Sequence, residues 1–147
     1  MSGIVRIVTD TSRPKHVDMF YYANTSTDLV DGELVEIDLA ATTYGVGKTV
    51  IQSTTTLSLA PGVTDRAVDA SVDSPLWIPL VTQGVKASCY SASVAVKDEV
   101  GQSTGAAGTL TDAAGDAGNA IGRCTVAESG SLSEIWFFGL YRCTAPA

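Results

Sequence analysis

Two acidic side chains on one short segment are the best candidates for acid–base chemistry. In the stretch ELVEIDL, Glu36 and Asp38 stand two residues apart, a spacing that places both carboxylates on one face of a β-strand about 7 Å apart. A glycosidase can use two carboxylates at that distance. Five acids fall between Asp28 and Asp38 with no base among them, so we interpret them as a solvated or partner-facing surface in preference to the active site of a small hydrolase.

A second candidate is the segment TTYGVGKTVI, because Gly47, Lys48 and Thr49 match the end of a phosphate-binding loop. That motif needs a glycine where Thr42 stands and a helix that begins at the lysine. The residues that follow, VIQSTTTLSL, are rich in β-branched side chains and indicate a strand. The segment is therefore predicted to be a hairpin turn with one exposed lysine.

The chain has one histidine, His16, through which any Ser-His-Asp or Cys-His arrangement would have to pass. It lies in the polar segment TSRPKHVD, and the chain has no nucleophile elbow, so a surface or interface residue is expected. Asp112, Asp116 and Asn119 lack the order of ligands found in an EF-hand. We therefore predict that the protein is not an enzyme and that it has no catalytic residue, no cofactor and no metal site.

The three cysteines, Cys89, Cys124 and Cys143, are an odd number at wide spacings. There is no CxxC pair and no nearby histidine to complete a zinc site. Buried free thiols are favoured over a disulfide.

Composition and charge restrict the classes of partner. A net charge of -7 argues against a broad surface for nucleic acid, and no apolar run reaches the roughly 18 to 20 residues that a membrane helix needs. The first residues also lack the layout of a secretory signal. With 45% hydrophobic and 17% charged residues the chain should fold. We expect no direct nucleic-acid partner and no membrane partner.

Short strands are the elements that must position these residues, since apolar and polar residues alternate in ELVEIDL and in similar runs. Strands are predicted at 4–8, 19–23, 33–39, 49–54, 56–60, 76–81, 85–96, 121–127 and 134–141, and residues 64–75 fit a short helix or a strand. The fold class is all-β: a compact β-sandwich or small barrel of short, mostly antiparallel strands. An extended N-terminal arm (1–18) precedes a single β domain (19–147), and a long Gly/Ala-rich loop covers 101–122.

The last strand is apolar on both faces. Alternation sends Ile135, Phe137 and Tyr141 to one side and Trp136, Phe138 and Leu140 to the other. Such a strand is buried on both sides, either within a sandwich or between the sheet and a partner.

Three consecutive aromatic residues, Phe20, Tyr21 and Tyr22, cannot all point the same way on a strand. One face of this strand is therefore expected to meet something other than the main core.

The order of these segments carries a family resemblance. An N-terminal extended segment is followed by GELVEIDL, QGVKASCYSASVAV, a Gly/Ala-rich stretch and AIGRCTVAESGSLSEIWFFGL. The last of these contains the triplets Ile121-Gly122-Arg123, Ala127-Glu128-Ser129 and Ile135-Trp136-Phe137. Over roughly residues 30 to 140 the chain resembles the capsid decoration, or cement, proteins of tailed bacteriophages.

The resemblance implies a structural virion protein that binds the outer surface of a phage capsid as a homotrimer and stabilises contacts between major capsid subunits. It would be made in the bacterial cytoplasm of the host and located on the capsid exterior. The alternative is a β-sandwich carbohydrate-binding or adhesin domain that uses Trp77 or the tyrosines as a platform. The expected capsid or subunit interface residues are Ile4, Val5, Arg6, Ile7, Arg13, Lys15, His16, Phe20, Tyr21, Tyr22, Trp136 and Phe138.

Overall fold

The computed structural model describes residues 15–24, 26–72, 76–114 and 120–139 of the chain. Within these ranges the regular elements are strands and one short 3-10 turn at Val46–Lys48. The strands are β1 (Lys15–Tyr22), β2 (Leu34–Ile37), β3 (Thr49–Gln52), β4 (Gly62–Thr64), β5 (Trp77–Ala92), β6 (Glu99–Gln102), β7 (Leu110–Asp112), β8 (Ala120–Ser129) and β9 (Leu132–Phe138).

The strand pairs form two closed circuits. In the first ring, β1, β3, β2, β4 and β5 pair in that order and β5 pairs back with β1. In the second ring, β5, β7, β6, β8 and β9 pair in that order and β9 pairs back with β5. The strand pairs are antiparallel except β1–β3 and β5–β7. The prediction of a compact all-β fold with mostly antiparallel strands is confirmed, and its small-barrel form is the closer description.

The two rings have the same connectivity. If β1 to β5 are matched in order with β5 to β9, every pair of the first ring has a counterpart of the same direction in the second. In both rings the first and third strands form the parallel pair, and the last strand closes on the first. The fold is therefore an internal structural repeat in which β5 is the last strand of one unit and the first strand of the next.

Strand β5 can serve both rings because it continues through Gly84. The sequence predicted two strands here, 76–81 and 85–96, with a turn at Gln83-Gly84; the structure corrects this to one strand of 16 residues. Gly84 has a φ of 89°, which glycine adopts without the steric cost that a Cβ brings. A shift of register between His16 and Val17 of β1 lies beside it. The glycine thus redirects the strand without ending it.

The buried apolar side chains form two clusters, and the one that contains the second ring's residues also takes in Leu34 and Val63 from strands of the first ring. Phe20, Tyr22, Val50 and Ile78 belong to the cluster of the first ring, and the other cluster includes Phe137 and its neighbours. The cysteines Cys89 and Cys124 are buried free thiols in that second cluster, as predicted, while Cys143 lies outside the described residues. Burial raises the pKa of the Cys89 thiol.

Strand β2 lies between the two clusters and is buried on both faces. Leu34 contributes to one cluster and Val35 to the other. The sequence predicted a half-buried strand with an acidic outer face, and this is wrong: Glu36 is 6% exposed, whereas Leu39, expected on the core side, is 71% exposed. Asp38 is half-buried, just beyond the end of the strand.

The Gly/Ala-rich stretch is not one long loop. It contains the end of β6 and the whole of β7, and Leu110 is completely buried. The amide of Ser103 donates to the carbonyl of Thr109 at 2.9 Å, and the amide of Gly108 donates to the carbonyl of Ser53 at 2.9 Å. Strands β4, β6 and β7 were not predicted, because each has only three or four residues and few large apolar side chains.

Several further sequence predictions concern single segments of the chain. Residues 56–60 do not form a strand. Between residues 64 and 75 the described part forms no helix, and Val68 makes an isolated antiparallel bridge with Leu29. The expected arm reaches into the sheet, because β1 begins at Lys15 and pairs with β5. The predicted strand at 4–8 lies outside the described residues.

Candidate functional site

The expected interface residues near the start of the chain are only partly described. Ile4, Val5, Arg6, Ile7 and Arg13 lie outside the described residues. Lys15 and His16 open β1, where they pair with Gly84 and Gln83 of β5. The Lys15 ammonium forms an ion pair with Asp65 at 2.7 Å, and the His16 Nε2 lies 3.0 Å from a carboxylate oxygen of Asp18. Both side chains are at the surface of the ring.

Strand β5 lies between His16 and the final strand and pairs with both. Gln83 pairs with His16 on one side and with Phe138 on the other, and directly opposed residues of antiparallel strands project from the same face. Two residues earlier in β9, Trp136 pairs with Val85. The rings of Trp136 and Phe138 meet edge to face with centroids 5.6 Å apart. Residues from the two ends of the described chain thus share one surface.

This surface, which we call the outer face of β9, carries six exposed or half-exposed apolar side chains together with the half-buried Glu134, which alternation places between Leu132 and Trp136 on the same side of β9. Trp136 is 47% exposed, while Ile135 and Phe137 on the opposite face are 0% and 1% exposed. The predicted alternation is therefore confirmed over the described part of the strand, but the Trp136 side is open in this single chain. The exposed or half-exposed apolar residues of the outer face are Val85, Tyr90, Val126, Leu132, Trp136 and Phe138.

Charged groups border the outer face. Arg123 pairs opposite Trp136 in β8, and its guanidinium lies 3.0 Å from the Glu99 carboxylate, with both side chains well exposed. An exposed ion pair of this kind contributes about 1 kcal/mol or less to stability. Arg123 and Glu134 thus place charged groups next to Trp136, among the apolar side chains of the outer face.

The aromatic triplet divides as the alternation requires, and two of its members are core residues. Phe20 is 7% exposed and Tyr22 0%, so the structure corrects their assignment to an interface. The Tyr22 hydroxyl donates to the carbonyl of Thr27 at 2.8 Å. Burial raises the pKa of Tyr22 to about 12, and the charges of Glu33 and Asp28 add to the rise. A buried phenol is expected to resist ionisation in this way.

Tyr21 is half-buried: it packs against the edge of that core and joins an aromatic cluster with Tyr44 and Trp77. The ring centroid of Tyr44 is 4.6 Å from that of Tyr21 and 5.0 Å from that of Trp77. Tyr44 belongs to the loop between β2 and β3, so its ring holds this loop against β1 and β5. No local pattern groups Tyr44 with Trp77, because the contact depends on the closure of the first ring.

The same loop forms a cleft beside Tyr21. The cleft has a volume of about 210 Å³ and is lined by Tyr21, Asp38, Thr42, Thr43 and Thr49, with three alanines. The amide of Asp38 donates to the carbonyl of Thr49 at 2.9 Å. The Asp38 carboxylate in turn accepts a hydrogen bond from the amide of Ala40 at 2.9 Å. The wall of the cleft is therefore fixed by the backbone of its own loop.

The acids that suggested a hydrolase are mostly occupied by structural hydrogen bonds. One Glu36 oxygen accepts from the Thr54 amide and the Gln102 side chain, both at 2.9 Å. Glu33, also buried, accepts from the Val30 amide at 2.8 Å and from the Gln52 side chain. The expected solvated acidic surface is thus wrong for Glu33 and Glu36, whose side chains are buried where the two rings meet.

A buried lysine completes the charge arrangement near this junction. The Lys86 ammonium lies 2.7 Å from Asp31 and 3.4 Å from Asp65. Burial works to lower the pKa of Lys86, but the two carboxylates outweigh it and hold the pKa above its ordinary value. Because Asp65 also binds Lys15, these charges attach the start of β1 to the rest of the protein.

The remaining candidate residues from the sequence are not brought together within the described part of the chain. The 3-10 turn at Val46–Lys48 leads into β3 rather than into a helix, and Lys48 is exposed, as predicted for a hairpin. Asp112 is exposed on β7, while Asp116 and Asn119 lie outside the described residues. Within the described ranges no three His, Cys, Asp or Glu side chains are grouped as metal ligands. No helix in the described part of the chain is long and apolar enough to span a membrane.

Comparison with known proteins gives a likeness of fold. No protein-family model matches the chain. No curated protein matches it. Among solved structures it is similar to the N base of the head fiber protein gp8.5 of bacteriophage phi29, with a TM-score of 0.53 and 12% sequence identity. The match covers 84% of this chain and 94% of the other. The chain therefore shares its fold with the base of a phage head fiber.

Proposed function

We propose that this protein is a structural component of a phage virion, without enzymatic activity, that binds the outer surface of the capsid as a homotrimer. The single observation that carries the proposal is the fold shared with the phi29 head fiber base over 84% of the chain. It agrees with the resemblance of the sequence to capsid decoration proteins. The role that follows is to bridge and stabilise neighbouring major capsid subunits.

The outer face of β9 is the proposed contact between copies. It exposes Trp136 and other apolar side chains beside the charged Arg123 and Glu134, and homo-oligomer interfaces are more apolar than the rest of a protein surface. Covering the exposed 47% of Trp136 would remove about 120 Å² of a side chain that presents up to about 250 Å². At about 25 cal/mol per Å² this contributes about 3 kcal/mol per copy.

The proposed capsid contact is the N-terminal segment that ends with the first two residues of β1. Residues 4–16 carry Arg6, Arg13, Lys15 and His16 against Asp10, which makes this part locally basic in an acidic protein. The segment ends in β1, where His16 pairs with Gln83 beside the outer face of β9. Three copies would present three such segments to the capsid, and linked contacts bind far more tightly than each alone.

Two measurements test the proposal. Light scattering should count three copies of the wild type, and Trp136→Ala should weaken association about 150-fold, the equivalent of 3 kcal/mol. Leu39→Ala, at an exposed position in the loop between β2 and β3, is the matched control and should remain trimeric. A wild-type protein that stays monomeric at high concentration would contradict the homotrimer.

The capsid contact is tested by co-sedimentation with capsids of the same phage that lack the protein. Wild type should sediment with the capsids and protect them against heat or chelator, and an Arg6→Glu, Arg13→Glu variant should remain in the supernatant while still forming trimers. A trimer that never binds such capsids would refute the virion role but leave the subunit contact standing.

A further inference from the structure

We propose that the cleft beside Tyr21 binds a single neutral sugar ring. Its chemistry matches that ligand: Tyr21 offers one aromatic wall, Asp38 a carboxylate, and Thr42, Thr43 and Thr49 hydroxyl groups. A pyranose has an apolar face of C–H groups and a rim of hydroxyls that both donate and accept hydrogen bonds. Aromatic rings with polar neighbours suit such an amphipathic ligand.

The size of the cleft restricts the ligand to a small one. Its volume of about 210 Å³ is below the roughly 300 to 1,000 Å³ of sites for drug-sized molecules. It is also open to solvent along the loop, since Thr42 and Thr43 are exposed. One ring of a longer glycan could therefore enter while the rest of the glycan remains outside.

The charge of the cleft selects against other polar ligands. The residues that line it include Asp38 and no basic side chain, so an anion such as phosphate would meet a carboxylate without a counter-charge. A divalent cation prefers several carboxylate or carbonyl ligands, and here one carboxylate already accepts the amide of Ala40. A neutral polyhydroxyl ligand can hydrogen-bond with Asp38 and the threonine hydroxyls without requiring a counter-charge.

The site is preorganised rather than formed by the ligand. Tyr21 pairs with Thr49 in β3 and with Trp77 in β5, so the residue that carries the ring is held by a strand on each side. Tyr44 packs on Tyr21 and Trp77 and thereby fixes the loop that carries Asp38, Thr42 and Thr43. Groups that are held in place before binding lose less entropy when the ligand arrives. Trp77 thus acts as a positioning residue and not as the sugar platform itself.

The cleft is separate from the proposed subunit contact. Tyr21 lies five residues beyond His16 on β1, which is about 17 Å at the rise of a strand. The sugar site and the outer face of β9 are therefore at different ends of this strand. The inference does not depend on the proposed virion function, since the cleft is complete within one chain.

The test is an NMR titration of the ¹⁵N-labelled full chain with glucose, galactose and N-acetylglucosamine. At least one sugar should give saturable shifts at the amides of residues 38–44, with a dissociation constant on the order of 1 mM, as expected for a ligand of few atoms. An Asp38→Asn, Thr43→Val variant should bind at least about tenfold more weakly. Thr55→Val, at an exposed threonine outside the cleft, should bind like the wild type.

Three results would overturn the inference. The first is the absence of saturable shifts with all three sugars at tens of millimolar. The second is binding that the Asp38→Asn, Thr43→Val variant retains in full. The third is a titration with inorganic phosphate that shifts the same amides more strongly than any sugar does. Circular dichroism of each variant establishes that it is folded, and retained subunit association shows that failure here leaves the virion proposal unaffected.

Discussion

The pKa of Tyr22 predicts how stability changes at alkaline pH. The phenol has a pKa of about 12 in the folded protein against its ordinary value of 10.0. Because the folded value is raised, the folded state holds this proton more tightly, and the stabilisation is complete below pH 10 and lost as pH rises towards 12. At pH 11 the loss through Tyr22 alone is about 1.4 kcal/mol, one pKa unit's worth of free energy.

Tyr22→Phe isolates this effect, because the ring remains and the ionisable group does not. The variant leaves the Thr27 carbonyl without its phenol donor, which should cost about 1 to 3 kcal/mol at pH 8. The raised pKa values of Lys86 and Cys89 also reduce stability at high pH, but they act equally in both proteins. Urea unfolding at pH 8 and pH 11 therefore gives a double difference that belongs to Tyr22.

The stability difference between wild type and Tyr22→Phe should shrink by about 1.4 kcal/mol between pH 8 and pH 11. Absorbance at 295 nm, which follows phenolate formation, should show one tyrosine fewer titrating late in the variant. A stability difference that stays constant between the two pH values would refute the inference that Tyr22 is sealed in the core.

Three further predictions concern stability and can be checked by urea unfolding with circular dichroism. Leu34→Ala should cost about 2 to 5 kcal/mol because this side chain is fully buried, while Leu39→Ala on the same segment should stay within about 0.5 kcal/mol; equal losses would contradict the register of β2. Gln102→Leu should cost about 2 to 4 kcal/mol, since Glu36 and the carbonyls of Thr54 and Thr56 lose a donor. The exposed Gln83→Leu is its control. Gly62→Ala would place a Cβ 2.0 Å from the Val81 carbonyl oxygen and should cost about 3 kcal/mol or more, whereas Gly47→Ala, with open space around it, should be nearly neutral.

The sequence predicted the class of fold because hydrophobic alternation is a local signal. The runs that became β8 and β9 were predicted with boundary errors of one to three residues, and the alternation of Ile135, Trp136 and Phe137 was predicted correctly. The first half of β1 was assigned to the N-terminal arm instead. Closure of the rings, in contrast, depends on the pairing of strands that are far apart in the sequence. Nothing in the residues around Gly84 distinguishes a turn from a strand that bends with a positive φ, so one strand was predicted as two.

The candidate sites were harder to predict than the fold, because alternation with apolar neighbours predicts that a charged residue faces solvent. Glu36 alternates with apolar neighbours, as it would on an outer face, but β2 has a buried cluster on each side. The partner that satisfies Glu36 is Gln102, 66 positions away. Tyr44 and Trp77, 33 positions apart, are in contact for the same reason. The pattern of residues in one sequence does not indicate contacts between positions so far apart.

The buried polar groups at the junction explain why two similar rings form one structure. Gln102 of the second ring donates to Glu36 and to two backbone carbonyls of the first ring's β3–β4 connection. The Leu34 amide donates to the carbonyl of Gly108 at 2.8 Å, and the Gly108 amide to that of Ser53 at 2.9 Å. Apolar burial alone would tolerate several relative positions of two small barrels, whereas these directional bonds are satisfied in one. The shared β5 fixes the distance between the rings and the polar junction fixes their rotation. The outer face of β9 and the cleft beside Tyr21 therefore keep a constant position relative to each other.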